Sequence, residues 1–164
     1  MFSNSVYAQS TLTELPFNIV IGETTNSEIE NKGNCVQKAE GEDWCEIYDM
    51  AGNFLVYSSQ SKVVNKVVFS AEKGNKLPRK WKELGLNFGL KNSPGTLDID
   101  FNNIIKNNGA KYIESSRNFD EKGELQGILF SYEIDKLSFS VMIKTIKEGA
   151  DILGLSEIVV TEAY

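Results

Sequence analysis

The chain contains no histidine, only two cysteines, and no apolar run approaching the ~18 residues that a transmembrane helix requires. Histidine is the commonest general base, nucleophile activator and metal ligand, so serine triads and zinc hydrolase sites are excluded as usually built. Two cysteines alone are too few ligands for a metal site. Clustered positive charge is also scarce: 17 Lys and Arg stand against 23 Asp and Glu, for a net charge of −6, and only residues 73–82 are locally basic. Phosphate binding is driven by clustered Lys and Arg, so this balance disfavours nucleic acid and anionic lipid.

What is present suffices for a folded domain. With 164 residues, 41% of them hydrophobic, the chain can bury one sizeable core or two small, fused ones. Residues 1–14 form a tail rich in Ser, Thr and Asn. Within it, Val6-Tyr7-Ala8 followed by Gln9 reads as the small-residue end of a secretory signal peptide whose apolar segment is missing, so the chain would begin just upstream of the cleavage point. The alternative is an ordinary polar N-terminal tail.

The densest turn signals surround the two cysteines. Strand-like runs at 34–38 and 44–48 flank Ala39-Glu40-Gly41-Glu42-Asp43, a polar connection of hairpin length, so Cys35 and Cys45 fall near opposite positions on two strands. A bridge there would close a short loop contributing roughly 3 kcal/mol, less any strain, and would imply an oxidising compartment. Two reduced, buried cysteines acting as small hydrophobes are the other reading.

Elsewhere the pattern reads as strand, helix, then several strands, twice. Residues 15–22 read as a strand ending in Gly22, Thr25-Asn26-Ser27-Glu28 as a capping box opening a short helix, and Gly33 as that helix's end. Strands follow in the cysteine hairpin and at 53–59 and 62–71, with the tip Asp49-Met50-Ala51-Gly52-Asn53 as a tight turn. After a polar break at 73–78 the order restarts: a glycine-punctuated apolar run at 84–90, a helix capped by Thr96 with Leu97, Phe101, Ile104 and Ile105 on one face, then strands at 111–116, 126–134, 137–146 and 156–163. Turns fall at Asp120-Glu121-Lys122-Gly123 and Glu148-Gly149. Ile128, Phe130, Tyr132 and Ile134 share one side of a strand, and Leu137, Phe139, Val141 and Ile143 one side of the next, as in an antiparallel sheet covered by helices on one face. The expected class is α+β, a tandem duplication of a helix-plus-antiparallel-sheet unit with the sheets joined into one curved surface. Its boundaries are a tail at 1–14, repeat 1 at 15–72, a linker at 73–83 and repeat 2 at 84–164.

This ordering resembles the secreted β-lactamase inhibitor proteins and, more loosely, small outer-membrane assembly lipoproteins with the same repeat unit. The features that carry the resemblance are a leading strand ending in Gly22, a Thr-initiated helix, Gly33-Asn34-Cys35, and a second cysteine after an acidic, aromatic turn. A matching second half without cysteines follows. The chain departs from the family's Gly-Met-Thr before each helix, having Gly22-Glu23-Thr24 and Gly89-Leu90-Lys91. The resemblance implies a curved sheet whose open face and projecting hairpin grip a partner protein. In the inhibitors the hairpin beyond the second cysteine carries an acidic residue into the target, and Asp49 holds a comparable position beside Met50. As an ordinary residue, Asp49 simply begins a turn.

If Cys45 and Ile47 point inward, alternation puts Trp44, Glu46 and Tyr48 outward, and exposed Trp and Tyr are frequent interface anchors. The reversed register would make Trp44 and Tyr48 core and the cysteines peripheral. Met142 and Lys144 would hold the corresponding outer face of the second half, or be part of an ordinary half-exposed strand. Carboxylate pairs give no site. Glu42-Asp43 and Asp98-Asp100 cannot hold two carboxyls across a cleft as glycosidases do, nor match a calcium loop, and Asp98 and Asp100 suit the first turn of a helix. Gly85-Leu86-Asn87-Phe88-Gly89 lacks the Lys or third Gly of a phosphate loop.

The reading is therefore a non-enzymatic periplasmic or secreted protein without cofactor or metal, binding a partner protein through its sheet face as an inhibitor, immunity factor or envelope scaffold would. It neither inserts into membranes nor takes nucleic acid. The alternative is a binder of a small ligand or cell-envelope component in the groove between the repeats. An enzyme with a carboxylate-only mechanism is a third reading.

Overall fold

A computed structural model describes residues 10–31, 33–36, 43–49, 52–58, 62–89, 91–92, 100–145 and 153–163. Within these, nine strands form one antiparallel sheet: β1 (Gly33–Val36), β2 (Asp43–Asp49), β3 (Gly52–Ser58), β4 (Val64–Ser70), β5 (Lys91–Asn92), β6 (Lys111–Phe119), β7 (Leu125–Ile134), β8 (Leu137–Thr145) and β9 (Leu153–Glu162). Their order is β1-β2-β3-β4-β9-β8-β7-β6, with β5 pairing β9. Three short helices accompany them: α1 (Asn26–Glu30), α2 (Arg79–Glu83) and α3 (Asp100–Asn107). Among the described residues no helix is long and apolar enough to cross a membrane.

Alternation builds the second half as the sequence predicts. Register pairs Ile128 with Ile143, Phe130 with Val141, Tyr132 with Phe139 and Ile134 with Leu137. Seven of these eight are buried, and Leu137 packs against the same core. The α1 capping box also forms, with the Glu28 carboxylate accepting from the Thr25 N–H at 2.7 Å and from its hydroxyl at 3.0 Å. At the β6–β7 turn, Asp120 Oδ1 accepts from the N–H groups of Lys122 and Glu124 at 2.9 and 2.8 Å.

Three local expectations fail. Residues 15–22 are not a strand: Pro16, lacking an N–H, opens the 3-10 turn Pro16–Asn18, and Phe17 and Asn18 both have positive φ, at 58° and 55°. Apolar Leu15, Ile19 and Ile21 still reach the core, so burial alone mimics a strand's periodicity. Gly33 does not end α1, which stops at Glu30; it starts β1. Residues 84–89 are not strand-like either, since Leu84 caps the C-terminus of α2 and Gly85 adopts φ 101°, and residue 90 lies outside the described residues. Residues 73–83 contain α2, with Trp81 fully buried. Thr96, Leu97, Asp98, Glu42, Met50, the 148–149 turn and residues 1–9 lie outside the described residues.

A row of rings ties the halves together. Phe54 of β3 stacks on Phe69 of β4 at 5.4 Å, Phe69 meets Trp81 at 5.1 Å, and Trp81 meets Phe139 of β8 at 5.9 Å. The Trp81 Nε1–H donates to the Thr11 carbonyl at 3.2 Å, so the indole's polar edge is satisfied where it is buried. The exit of β4 is fixed by Asn75, only 4% exposed, whose Oδ1 accepts from the Ser70 N–H at 2.9 Å.

Candidate partner-binding face

Pleating divides the sheet into two unlike faces. One carries a single continuous core from Phe54 and Val56 on β3 through Val67 and Phe69 on β4 to Ile158 and Val160 on β9 and the apolar rows of β7 and β8. Each helix sends its buried residue there: Ile29 from α1, Trp81 from α2, Ile105 from α3.

The alternate positions make up the other face. Leu129, Ser131 and Glu133 on β7, Ser140, Met142 and Lys144 on β8, Val159 and Thr161 on β9 and Lys66 on β4 are all half-buried. Register puts Val68 opposite both Leu55 and Val159, and Met142 opposite both Leu129 and Glu157. Val68 is 7% exposed yet stands apart from the core cluster, so the junction of β4 and β9 is well covered on this face. The Lys144 ammonium pairs with Glu72 at 2.7 Å, the Lys144 side chain 44% and the Glu72 side chain 65% exposed.

The cysteine hairpin continues the same sheet. Cys35 lies directly opposite Cys45. Opposed residues of an antiparallel pair are about 4.5–5.5 Å apart at Cα, within the span of about 4.4–6.8 Å that a disulfide tolerates. Cys45 and Ile47 stand opposite Val56 and Phe54, the buried residues of β3, whereas Trp44, Glu46 and Tyr48 occupy the alternate positions, opposite Tyr57, Leu55 and Asn53. Asp49 pairs with Gly52 where the hairpin turns.

Register thus aligns the predicted residues Trp44 and Tyr48 with one another on β2, and Met142 with Lys144 on β8, in one sheet but on opposite halves of it. Reading the sequence alone missed Val68, Val159 and Leu129. Each sits one residue from a buried position on its strand, so alternation could have found them. The adjacency of Val68 and Val159 across β4 and β9 joins residues about ninety apart in sequence, and no local pattern contains it.

Comparison of the chain with protein-family models, with curated proteins and with solved structures found no match.

Proposed function

We propose that this chain is an exported, non-enzymatic module that binds a partner protein through the sheet face opposite its core and through the β2–β3 hairpin. The observation that carries this reading is the asymmetry of the sheet: all three helices contribute their buried residue to one face, while the other combines buried Val68 with half-buried Val159, Leu129 and Met142 and scattered charges. An apolar centre rimmed by polar groups is the usual composition of a protein interface. Strand periodicity assigns Trp44, Glu46 and Tyr48 to that same face, because their neighbours Cys45 and Ile47 pair with buried Val56 and Phe54. Binding would act by steric occlusion, with acidic residues steering basic partners.

The two-repeat reading is part of this proposal. Its support is the strand order, in which β1 to β4 and β6 to β9 are each a meander, preceded by α1 and α3 respectively, and join through their last strands. A bridge between Cys35 and Cys45, supported by their register, completes the picture of a protein of an oxidising compartment.

The test is capture from an envelope extract on immobilised parent protein, beside a Trp44→Ala, Tyr48→Ala variant and a Val159→Asp variant, each verified as folded by circular dichroism. The reading expects a discrete protein on the parent that both variants lose, and that binds again when purified. Equal retention by all three proteins rejects the sheet face as the binding surface.

A further inference from the structure

On the core side of the sheet, two grooves open along residues 13–23, the stretch that holds the Pro16–Asn18 turn and leads towards α1. The first, of about 620 Å³, lies between this segment and the start of α2. The second, of about 410 Å³, lies between it and the β7–β8 turn. Thr13, Leu15, Ile19 and Val20 line both, so the grooves adjoin along one shared apolar wall. Each volume falls in the range of roughly 300–1,000 Å³ typical of small-ligand sites.

The rims carry opposite charge. The first has Arg79 and Lys80 beside Glu14, and the second has Glu23, Asp135 and Glu162 beside Lys136. Among the described residues the two cations are engaged in solvent-exposed pairs: Arg79 with Glu83 at 3.2 Å, their side chains 87% and 62% exposed, and Lys80 with Glu14. Such screened pairs are weak and readily exchange one carboxylate for another. Val20, which lines both grooves, is 48% exposed and so offers an apolar surface to a bound molecule.

We propose that the two grooves are halves of one bipolar site for a short extended peptide. Its carboxylate end meets Arg79 and Lys80, its ammonium end enters the pole formed by Glu23, Asp135 and Glu162, and its apolar side chains cover Val20. A fatty acid would satisfy the first pole and leave the second unmatched, and a polyanion would be repelled by the second. A molecule with charges of both signs and an apolar middle matches both. This site lies on the face opposite the proposed protein-binding surface and stands or falls independently of it.

The probe is the free tetrapeptide lysyl-leucyl-valyl-glutamate, titrated calorimetrically into the full chain. Controls are the acetylated, amidated peptide with glutamine at both ends, and decanoate. Two charge variants, Arg79→Glu with Lys80→Glu and Glu23→Gln with Asp135→Asn, change residues that are exposed and leave the core intact. The expected result is saturable binding of the charged peptide, weakened about tenfold or more by either variant, by neutral ends and by added salt. The proposal is overturned if the folded parent does not bind the peptide saturably, if the neutral peptide binds equally well, or if decanoate binds as tightly and ignores the Glu23, Asp135 variant.

Discussion

Phe69 and Trp81 meet at 5.1 Å between ring centres with their planes inclined by 60°, and both are fully buried. Phe69 belongs to β4 and Trp81 to α2, and the far side of the indole meets Phe139 of β8. Trp81 therefore brings rings from both halves of the sheet together within the one core that the β4–β9 pairing makes continuous. Trp81→Ala should destabilise the protein by about 3–5 kcal/mol, as large aromatic truncations in a core do. Trp81→Phe should recover much of that while losing the bond to Thr11. Urea denaturation of the three proteins checks the order, and a fully stable Trp81→Ala variant would contradict a shared core.

Gly127 tests how closely β7 and β8 approach. A Cβ built on it would lie 2.7 Å from the carbonyl oxygen of Ile143, a backbone atom that cannot move without disturbing the ladder. Gly127→Ala should lose about 1–3 kcal/mol, although alanine ordinarily stiffens a chain relative to glycine. The thermal midpoint should fall accordingly, whereas Gly123→Ala, at a turn with nothing within 4 Å but φ 78°, reports backbone strain alone.

Tyr132 supplies a pH signature. Its hydroxyl donates to Asn102 Oδ1 at 2.8 Å, and burial, with a smaller contribution from Tyr112, pushes its phenol well above the ordinary value of 10.0. In the unfolded chain this group ionises near pH 10, whereas the folded protein holds it neutral, so the unfolded state binds fewer protons above that point. Stability should then fall as pH rises beyond about 10. Tyr132→Phe should flatten this decline, which denaturant midpoints measured from neutral pH to above pH 10 would reveal.

The hairpin predicts a redox difference. With Cys35 opposite Cys45, the oxidised protein should carry no titratable thiol, and a Cys35→Ser, Cys45→Ser variant should be less stable by roughly 3 kcal/mol. Thiol titration under denaturing conditions distinguishes the cases: two thiols in protein isolated under air would mean that no bridge forms.

How much of this was legible depends on the range of the signal. The strands β7 and β8, the Thr25–Glu28 cap and the Asp120 turn were readable because each rests on residues within a few positions of one another: a period of two sets a sheet face, and a carboxylate three residues on closes a cap. Residues 15–22 misled because alternating burial of Leu15, Ile19 and Ile21 arises from packing rather than from strand geometry, and the positive φ of Phe17 and Asn18 that breaks the strand is a property only the structure shows. In the candidate face, Trp44, Tyr48, Met142 and Lys144 were chosen by local alternation, which fixes what each strand offers but not which strands adjoin. That β4 pairs with β9, bringing Val68 against Val159, and that the segment from Thr13 to Val20 lies between grooves of opposite charge, was decided only by the tertiary structure. The physical reason is that periodicity is a property of neighbours along the chain, whereas pairing distant strands depends on the whole core closing around Trp81.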